Sequence, residues 1–313
     1  MNILLNENFD AQERLVWRAA LSAALPEVRW LDGAAARAVA QTVRVAVVAN
    51  PAPGSLQGLP RLELIQSLWA GVDRLLADPT LPAGVPIARM VDPALSAAMA
   101  ETALWAVLSL HRGFFRYARL QREARWAPHG QRRADEVCVA VLGLGQMGRA
   151  AAQRIAAQGY RVQGWSMGPG VAATGFGVAH GEAALPPLLA QADIVVNLLP
   201  LTPATAGLLD AARLSLLPPH ASLVNLGRGA QVVEADLLAA LDAGRLRHAV
   251  LDVFREEPLP ADHPFWRHPR VTVLPHVAAL TDPRSAAAVV AANVRAWAAG
   301  ETLNHRVDRA RGY

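Results

Sequence analysis

Apolar runs of four to six residues alternate along most of the chain with Ala-rich stretches whose apolar residues recur at helical spacing. This alternation is typical of βαβ units, in which parallel strands form a sheet with helices on both faces. It predicts a first group of strands at residues 2–5, 28–31, 43–48 and 62–65. A second group is predicted at residues 137–142, 161–165, 194–199, 222–226, 248–252 and 271–274.

A stretch punctuated by proline and glycine, residues 78–93, separates the two groups of strands. After it, one amphipathic helix is predicted over residues 95–122, and a polar loop follows. A last Ala-rich helix is predicted from Pro283 to about Ala299. Together these elements predict an α/β protein with two doubly wound parallel sheets.

One glycine-rich turn lies between the first strand of the second group and the helix that follows it. The sequence VCVAVLGLGQMGRAAAQRIAAQGY places Gly143, Gly145 and Gly148 in the spacing G-x-G-x-x-G. The first glycine permits a tight turn, the second lets the backbone approach a pyrophosphate, and the third lets helix and strand pack closely. Because the motif stands between a strand and a helix, it predicts dinucleotide binding rather than a purely structural turn.

The end of the next strand lacks the acidic residue that usually binds the ribose hydroxyls of NAD. The strand ends in GWSM, so Ser166 stands in the place of the acid. Since a serine does not repel a 2′-phosphate, NADP(H) is predicted as the preferred cofactor and NAD(H) as the alternative. No arginine follows in Met167-Gly168-Pro169, so the preference should be only on the order of tenfold. The competing interpretation is that Ser166 merely caps the strand.

Three polar residues follow the last three predicted strands. Arg228 stands in NLGRGAQVVEADLL, Glu257 in LDVFREEPLP and His276 in VTVLPHVAAL. Ligands of open α/β sheets bind at the carboxyl ends of the strands, so these side chains are expected to converge beside the cofactor. Arginine can hold a carboxylate, glutamate can fix the tautomer of a histidine, and histidine can pass a proton to a carbonyl oxygen. For His276 alone, a core histidine satisfied by a carbonyl group is the alternative.

With these motifs in place, the chain resembles the D-isomer-specific 2-hydroxyacid dehydrogenases, and among them the short bacterial glyoxylate/hydroxypyruvate reductases. The resemblance extends over nearly the whole chain, and several independent motifs in the same order argue strongly against coincidence. The motifs that carry it are SLWAGVD, the glycine motif, NLLPLTPATAGLL, NLGRGAQVVEADLL, DVFREEPLP, PHVAALTDPR and the closing VDRARGY.

The resemblance implies a Rossmann-type dinucleotide domain, residues 98–283, inserted into a flavodoxin-like substrate domain formed by residues 1–97 and 284–313. It implies reduction of glyoxylate, hydroxypyruvate or a similar small 2-oxo acid to the 2-hydroxy acid. In this family pattern Arg228 binds the 2-oxo acid, His276 is the general acid/base, and Glu257 pairs with His276. The core interpretation of His276 then becomes the lesser one.

The resemblance also implies smaller roles. The turn Trp69-Ala70-Gly71 is expected to hold the substrate carboxylate, and Asp252 to contact the nicotinamide amide; packing and strand capping are the alternatives. Trp69 and the segment VVANPAPGSL depart from the family pattern, so the identity of the substrate stays open. The expected cofactor contacts are Gly143, Gly145, Gln146, Met147, Gly148, Trp165, Ser166, Met167, Leu199, Pro200, Thr205, Asp252, His276 and Ala278.

The basic character of the chain does not indicate a nucleic-acid partner. All 30 basic residues are arginines and the net charge is only +4, so the high pI of about 10.1 reflects the very high pKa of arginine. The densest basic run, residues 111–126, interleaves arginines with apolar residues, which predicts a packing or subunit-contact helix. The resemblance implies that the region of the long helix, with Met99, Trp105 and Trp126, forms a dimerisation arm. We therefore expect a homodimer. The absence of lysine excludes Schiff-base chemistry and a Walker-type ATP site.

The remaining features concern setting and metals. With one cysteine, Cys138, no intrachain disulfide can form, and the reducing cytoplasm is the expected location. No uninterrupted apolar run reaches membrane-spanning length and MNILLNENFD lacks the features of a signal peptide, so no membrane partner is expected. His263, His268 and His276 lack the spacing of a known metal site, and no metal is expected.

Two alternatives stay open at this point. One is a dehydrogenase of the same superfamily that acts on a bulkier 2-oxo acid. The other is a nucleotide-sensing, corepressor-like binding protein, since such relatives can retain Arg228, Glu257 and His276. Loss of NADPH absorbance with glyoxylate separates an enzyme from a binding protein.

Overall fold

The computed structural model describes residues 1–169 and 175–313, and its contacts divide the chain into two compact units. One unit comprises residues 1–95 and 281–313, and the other comprises residues 96–280. These bounds lie within three residues of the domain limits that the sequence predicts.

The first unit contains a parallel five-stranded sheet. Its elements are β1 (Asn2–Glu7), α1 (Ala11–Ala24), β2 (Arg29–Leu31), α2 (Gly33–Ala38), β3 (Val45–Ala49), β4 (Leu64–Ser67), α3 (Asp73–Leu76), β5 (Ile87–Ala88) and α10 (Pro283–Ala298). The strand order is β2-β1-β3-β4-β5, which is the flavodoxin-like order. The central strand β3 is buried along its whole length because helices cover both faces of the sheet.

The second unit contains a parallel seven-stranded sheet in the order β12-β11-β10-β9-β6-β7-β8. This is the Rossmann order with one further strand, so the predicted fold class is confirmed. Its elements are α4 (Pro93–Arg112, which begins in the first unit), α5 (Phe114–Arg122), β6 (Cys138–Leu142), α6 (Gln146–Ala156), β7 (Arg161–Ser166), β8 (Gly177–His180), α7 (Leu185–Leu189), β9 (Ile194–Asn197), α8 (Ala211–Ser215), β10 (Ala221–Asn225), α9 (Glu234–Asp242), β11 (Leu246–Leu251) and β12 (Val271–Val273).

The core of the second unit follows from the alternation of side chains along each strand. In β9, Val195 packs into the cluster on one face of the sheet, whereas Ile194 and Val196 pack into the cluster on the other. Each strand therefore needs apolar residues at consecutive positions. This explains the continuous apolar runs from which the sequence predicts the strands.

The predicted single helix over residues 95–122 is wrong, because the chain breaks into α4 and α5 at Gly113. This glycine has φ +74°, a left-handed conformation that glycine adopts without strain. The imidazole of His129 lies against it, so that a Cβ at this position would come within 2.5 Å of the ring. The break thus provides the space into which the following loop folds back.

By length and composition alone, α4 could cross a membrane. The helix is continuous, but the charged residue Glu101 interrupts its apolar sequence near the middle. On one side, its small and apolar residues are buried in the core of the second unit: Met99, Ala100, Ala103, Ala106, Val107 and Leu110. This is the environment of a core helix in a folded domain.

The sequence prediction does not place every element, and helix α1 and the strands β5 and β8 are among those that it misses. The helix α1 begins at an N-cap, Asp10, whose side chain accepts from the backbone N–H of Glu13 at 2.8 Å, while the Glu13 carboxylate accepts from the N–H of Asp10. The strand β8 carries the sequence GVAH, none of which is fully buried, and within residues 1–169 and 175–313 its strand partner is β7 alone. A short exposed edge strand has no apolar run by which the sequence could reveal it.

Candidate active site

The second sheet gathers the predicted site segments at one edge. Because all its strands are parallel, their carboxyl ends meet at that edge. The first strand of the unit, β6, lies between β7 on one side and β9 on the other, so the chain winds outward from it in both directions. Ligands bind at such a switch point. The segments after β6 and β7 therefore form one half of a candidate site, and those after β9, β10, β11 and β12 form the other.

The glycine turn after β6 has the geometry that a pyrophosphate needs. Gly143 has φ +94°, and a Cβ there would lie 2.7 Å from the carbonyl of Leu198. A Cβ at Gly148 would come within 1.7 Å of the Gly143 oxygen, so helix α6 packs on the turn as closely as glycine allows. At Gly145, by contrast, a Cβ would meet nothing within 4 Å. The backbone is thus open at the position where α6 begins, and this arrangement fits a bound dinucleotide.

At the end of β7, the side chains of the predicted cofactor contacts Trp165, Ser166 and Met167 differ in their exposure. The side chain of Trp165 lies in the core with no exposed surface, and its indole Nε1–H donates to the Gly181 carbonyl at 2.9 Å. The Trp165 side chain is therefore turned away from the surface of this sheet edge. Ser166 is half-buried and Met167 exposed, as residues that meet a ligand must be.

The turn after β9 is held by its own polar groups. The hydroxyl of Thr205 is buried and donates to the Pro200 carbonyl at 2.7 Å, so it serves the turn itself. The amide of Gln231 donates to the carbonyls of Leu199 and Pro200, both at 2.9 Å. The positions of Leu199 and Pro200 thus depend on a residue that lies more than thirty positions later in the chain.

The loop after β10 carries Arg228, and a buried amide network holds it. Gln231, which has no exposed surface, accepts from the backbone N–H of Arg228 at 2.9 Å and from the amide of Asn197 at 2.6 Å. Asn197 also donates to Asn225 at 2.9 Å, and Asn225 donates to the Arg228 carbonyl at 3.1 Å. The guanidinium of Arg228 donates from Nη1 to the Gly227 carbonyl at 2.8 Å. The backbone that carries this cation is therefore fixed from two sides.

A glycine joins this loop to the one after β11. A Cβ at Gly229 would lie 1.8 Å from the carbonyl carbon of Phe254, so the two backbones touch. The N–H of Phe254 donates to Glu257 Oε1 at 3.0 Å, which orients the carboxylate. Close packing at Gly229 thus brings the Arg228 loop beside the loop that carries Glu257.

His276 and Glu257 form a direct pair. The ring Nδ1 lies 2.9 Å from Glu257 Oε2; the histidine side chain is 50% exposed and the glutamate side chain 19%. An ionised carboxylate only accepts hydrogen bonds, so Nδ1 carries the proton of this pair and Nε2 remains for another partner. His276 also has φ +55°, a conformation that non-glycine residues seldom adopt. The structure does not bury this imidazole as a core histidine.

Asp252 holds the His276 loop. It is 1% exposed, and its two carboxylate oxygens accept from the N–H groups of Val277 at 2.7 Å and Ala278 at 3.0 Å. Its backbone carbonyl accepts from the N–H of His276 at 2.9 Å. Ala278 is buried as well, and its carbonyl accepts from the hydroxyl of Thr102 at 2.7 Å. Three hydrogen bonds from one residue therefore maintain the unusual backbone that presents His276.

The remaining predicted residues, Trp69, Ala70 and Gly71, lie in the other unit after β4. The indole of Trp69 packs edge-on against Phe9 and Trp17, with ring centroids about 6 Å away, so this side chain belongs to an aromatic cluster. Among the backbone–backbone hydrogen bonds outside helices and strands within residues 1–169 and 175–313, none is donated by the N–H groups of Ala70 and Gly71. Two adjacent N–H donors are thus available to an anionic ligand.

The sequence interpretation missed the amide network of Asn197, Asn225 and Gln231. No local pattern could have revealed it, because buried polar residues within strands and turns have no spacing of their own. The other two histidines lie beside acidic side chains: His268 contacts Asp242 at 3.2 Å and His263 lies 3.7 Å from Glu234. Among the residues that the structure describes, no cluster of three or more histidine, cysteine or acidic side chains suits a metal ion.

Comparison with known proteins supports the same interpretation. Residues 104–278 match the family model described as D-isomer specific 2-hydroxyacid dehydrogenase, NAD binding domain. A relative from Serratia proteamaculans (strain 568), named glyoxylate/hydroxypyruvate reductase A, is 41% identical over the full length of both chains. A crystal structure of a D-isomer specific 2-hydroxyacid dehydrogenase from Xanthobacter autotrophicus Py2, in complex with NADPH and MES, has a TM-score of 0.94 at 41% identity, covering 100% of this chain and 99% of that one. An NADPH-dependent glyoxylate/hydroxypyruvate reductase from Sinorhizobium meliloti, solved with NADP and sulfate, has a TM-score of 0.93 at 36% identity with the same coverage.

Proposed function

Because the chain belongs to the D-isomer specific 2-hydroxyacid dehydrogenase family, we propose that it reduces a small 2-oxo acid, such as glyoxylate or hydroxypyruvate, to the 2-hydroxy acid with NADPH. The observation that carries this proposal is the His276–Glu257 pair, which stands at the same sheet edge as a glycine turn open to a dinucleotide. The names of the relatives and the cofactors in their solved structures support the substrate class and the choice of NADPH.

Each residue of the site has its own role in the proposed reduction. Bound NADPH supplies a hydride to the carbonyl carbon. The guanidinium of Arg228 binds the carboxylate of the 2-oxo acid and so aligns the carbonyl group. Nε2 of the protonated His276 donates its proton to the carbonyl oxygen as the hydride arrives, which yields the hydroxyl group. Glu257 accepts from Nδ1–H and stabilises the positive charge of the imidazolium before the transfer.

The proposed cofactor site uses the unit formed by residues 96–280. Gly143, Gly145, Gln146, Met147 and Gly148 surround the pyrophosphate, and Ser166 and Met167 meet the adenosine ribose. Leu199, Pro200, Asp252 and Ala278 shape the nicotinamide end through their backbone and packing. In the other unit, the N–H groups of Ala70 and Gly71 are proposed as donors to a carboxylate. NADH is a weaker alternative cofactor.

A variant of His276 tests the assignment. Asparagine is the suitable replacement because it tolerates the left-handed backbone at this position. His276→Asn should lower kcat with glyoxylate and NADPH by about 10²–10⁴-fold, the usual worth of general acid–base catalysis, and leave the Kd of NADPH nearly unchanged. His220→Asn is the matched control, since His220 is also exposed and has φ +84°. A kcat for His276→Asn equal to that of the control contradicts the assignment.

A panel of 2-oxo acids, each assayed with NADPH and NADH at 340 nm, tests the substrate class. Turnover of bulkier 2-oxo acids alone would move the protein to another branch of the family. If the protein binds NADPH but turns over no 2-oxo acid, the proposal fails in favour of a nucleotide-sensing binding protein.

The proposal includes a soluble homodimer in the cytoplasm, with no nucleic-acid or membrane partner. Trp105, Phe114 and Trp126 on and after helices α4 and α5 are 42%, 56% and 97% exposed, and large exposed aromatic side chains are typical of subunit contacts. The single cysteine, Cys138, is buried, which suits a reducing compartment. Light scattering of the wild type and of Trp126→Ser together with Phe114→Ser would show whether these side chains hold a dimer.

A further inference from the structure

A histidine outside the predicted site lies against the residue that stands in the place of the ribose-binding acid. The edge strand β8 pairs with β7 in a register that sets His180 opposite Ser166. Nδ1 of His180 lies 2.8 Å from the hydroxyl oxygen of Ser166. Both side chains also contact the Gly168 carbonyl, the hydroxyl at 2.7 Å and the imidazole nitrogen at 3.1 Å. The two side chains therefore form one polar group at the carboxyl end of β7.

The hydrogen bonds of His180 indicate which of its nitrogens remains for a ligand. A carbonyl oxygen only accepts, so the Ser166 hydroxyl donates to Gly168 and its oxygen accepts from the imidazole. This arrangement places a proton on Nδ1 and leaves Nε2 for a ligand, and a ring that carries a proton on both nitrogens is a cation. His180 is exposed, so Nε2 is accessible to a ligand.

The position of the Ser166–His180 pair indicates which ligand a charge on His180 would bind. In a dinucleotide fold, the carboxyl end of the second strand meets the adenosine ribose, and an NADP(H)-binding protein must accommodate a 2′-phosphate there. The residues that follow Ser166 in this chain, Met167-Gly168-Pro169, offer no cation. We propose that His180, as an imidazolium held in place by the Ser166 oxygen, binds the 2′-phosphate through Nε2 and so determines the preference for NADP(H). This inference rests on the proposed function.

The charged groups around His180 are few and already engaged. Strand β8 packs against β7, α7 and the short 3₁₀ turn Glu182–Ala184. On β7 the charged residue is Arg161, at the opposite end of the strand, and α7 carries no charge. Glu182 forms an ion pair with Arg213, whose guanidinium lies 3.3 Å from the carboxylate. The positive charge that these elements can place beside Ser166 is therefore that of the His180 imidazolium.

A binding experiment without turnover tests the inference. The full-length protein is titrated calorimetrically with adenosine 2′,5′-bisphosphate and with 5′-AMP, which lacks the 2′-phosphate. For the wild type, the preference for the bisphosphate should increase by about three- to tenfold as the pH falls from 8.5 to 6.5. Imidazoles gain a proton as the pH falls through neutrality, and one partly exposed, charged hydrogen bond increases the affinity by about this factor. The phosphate keeps most of its second charge above pH 6.5.

Two substitutions separate charge from structure. His180→Gln keeps a polar side chain but no charge, so the preference should fall about three- to tenfold at pH 6.5 and lose its pH dependence. His180→Arg should restore the preference and make it independent of pH. His220→Gln, which changes an exposed histidine elsewhere in the same unit, is the control and should behave as the wild type.

The outcomes distinguish this inference from the proposed function. If His180→Gln retains the wild-type preference and pH profile, His180 does not bind the phosphate, although the protein can still be an NADPH-dependent reductase. If His180→Arg fails to raise the preference at pH 8.5, the inference is likewise overturned. Failure of the wild type to bind NADPH or to oxidise it with any 2-oxo acid would instead overturn the proposed function.

Discussion

Replacing Asp252 with asparagine tests the claim that this carboxylate holds the His276 loop. The two carboxylate oxygens accept from the N–H groups of Val277 and Ala278 at 2.7 and 3.0 Å, in a place with 1% exposure. An asparagine has the same shape but offers one oxygen, and its NH₂ group would face the second N–H. One buried backbone donor then loses its acceptor and meets another donor.

The size of the effect follows from these contacts. The variant loses one charge-assisted hydrogen bond and leaves one buried N–H without a partner. Together these should lower the free energy of opening of the loop by about 2–4 kcal/mol, which corresponds to about a 30- to 1,000-fold increase in the open population. Since the loop presents His276, kcat should fall as well.

Native-state hydrogen exchange measures the opening at the amides of Val277 and Ala278 directly. Asp242→Asn is the matched control, because the Asp242 side chain is 74% exposed and contacts His268 of the same unit. The Kd of NADPH, measured in parallel, reports separately on any contact of Asp252 with the nicotinamide. Exchange at these two amides within threefold of the wild type in Asp252→Asn would refute the holding role of the carboxylate.

Three further predictions concern other parts of the second unit. Arg228→Lys keeps the charge but loses the planar guanidinium, so KM for glyoxylate should rise and kcat/KM should fall; kinetics equal to the wild type would contradict the substrate-anchoring role. Gly229→Ala places a Cβ 1.8 Å from the Phe254 backbone and should lower both the melting temperature and kcat/KM, whereas Gly33→Ala, where a Cβ meets nothing within 4 Å, should change neither. Burial lowers the pKa of His248 to about 4, so the unfolded chain takes up a proton between about pH 6.5 and pH 4 that the folded protein does not, and stability is lost as the pH falls through this window. The free energy of unfolding relative to His248→Gln should therefore fall by about 2–3 kcal/mol between pH 7.5 and 4.5, and equal slopes for the two proteins would show that His248 is not responsible.

The part of the site that the sequence predicts is the part that a parallel sheet arranges by rule. Glu257 and His276 are 19 residues apart, yet each follows a strand whose carboxyl end must lie at the same edge. Knowing the strands is then enough to expect the two side chains near each other, and the structure places them 2.9 Å apart. The glycine motif is predictable for a similar reason, because its glycines are required by the tight turn and close packing within the same strand–turn–helix segment.

The choice of partners among buried polar groups is not local, and the sequence does not reveal it. Gln231 could have donated to any carbonyl within reach; its contacts with Leu199 and Pro200 exist because two separate loops meet above β9 and β10. The direction of Trp165 has the same origin. Its ring lies in the core because it packs into the apolar cluster on that face of the sheet and its Nε1–H donates to the Gly181 carbonyl.

Cofactor selectivity shows why the residues after a strand do not suffice to predict its chemistry. The three residues after Ser166 carry no charge and suggest only a weak preference. The edge strand β8 has no apolar run from which the sequence could predict it. It places His180, 14 residues after Ser166, beside the Ser166 hydroxyl. The charge that we propose at the adenosine ribose thus depends on strand pairing rather than on the motif. For this reason, the pH dependence of 2′-phosphate binding, and not the sequence of the strand end, tests the cofactor selectivity that we propose.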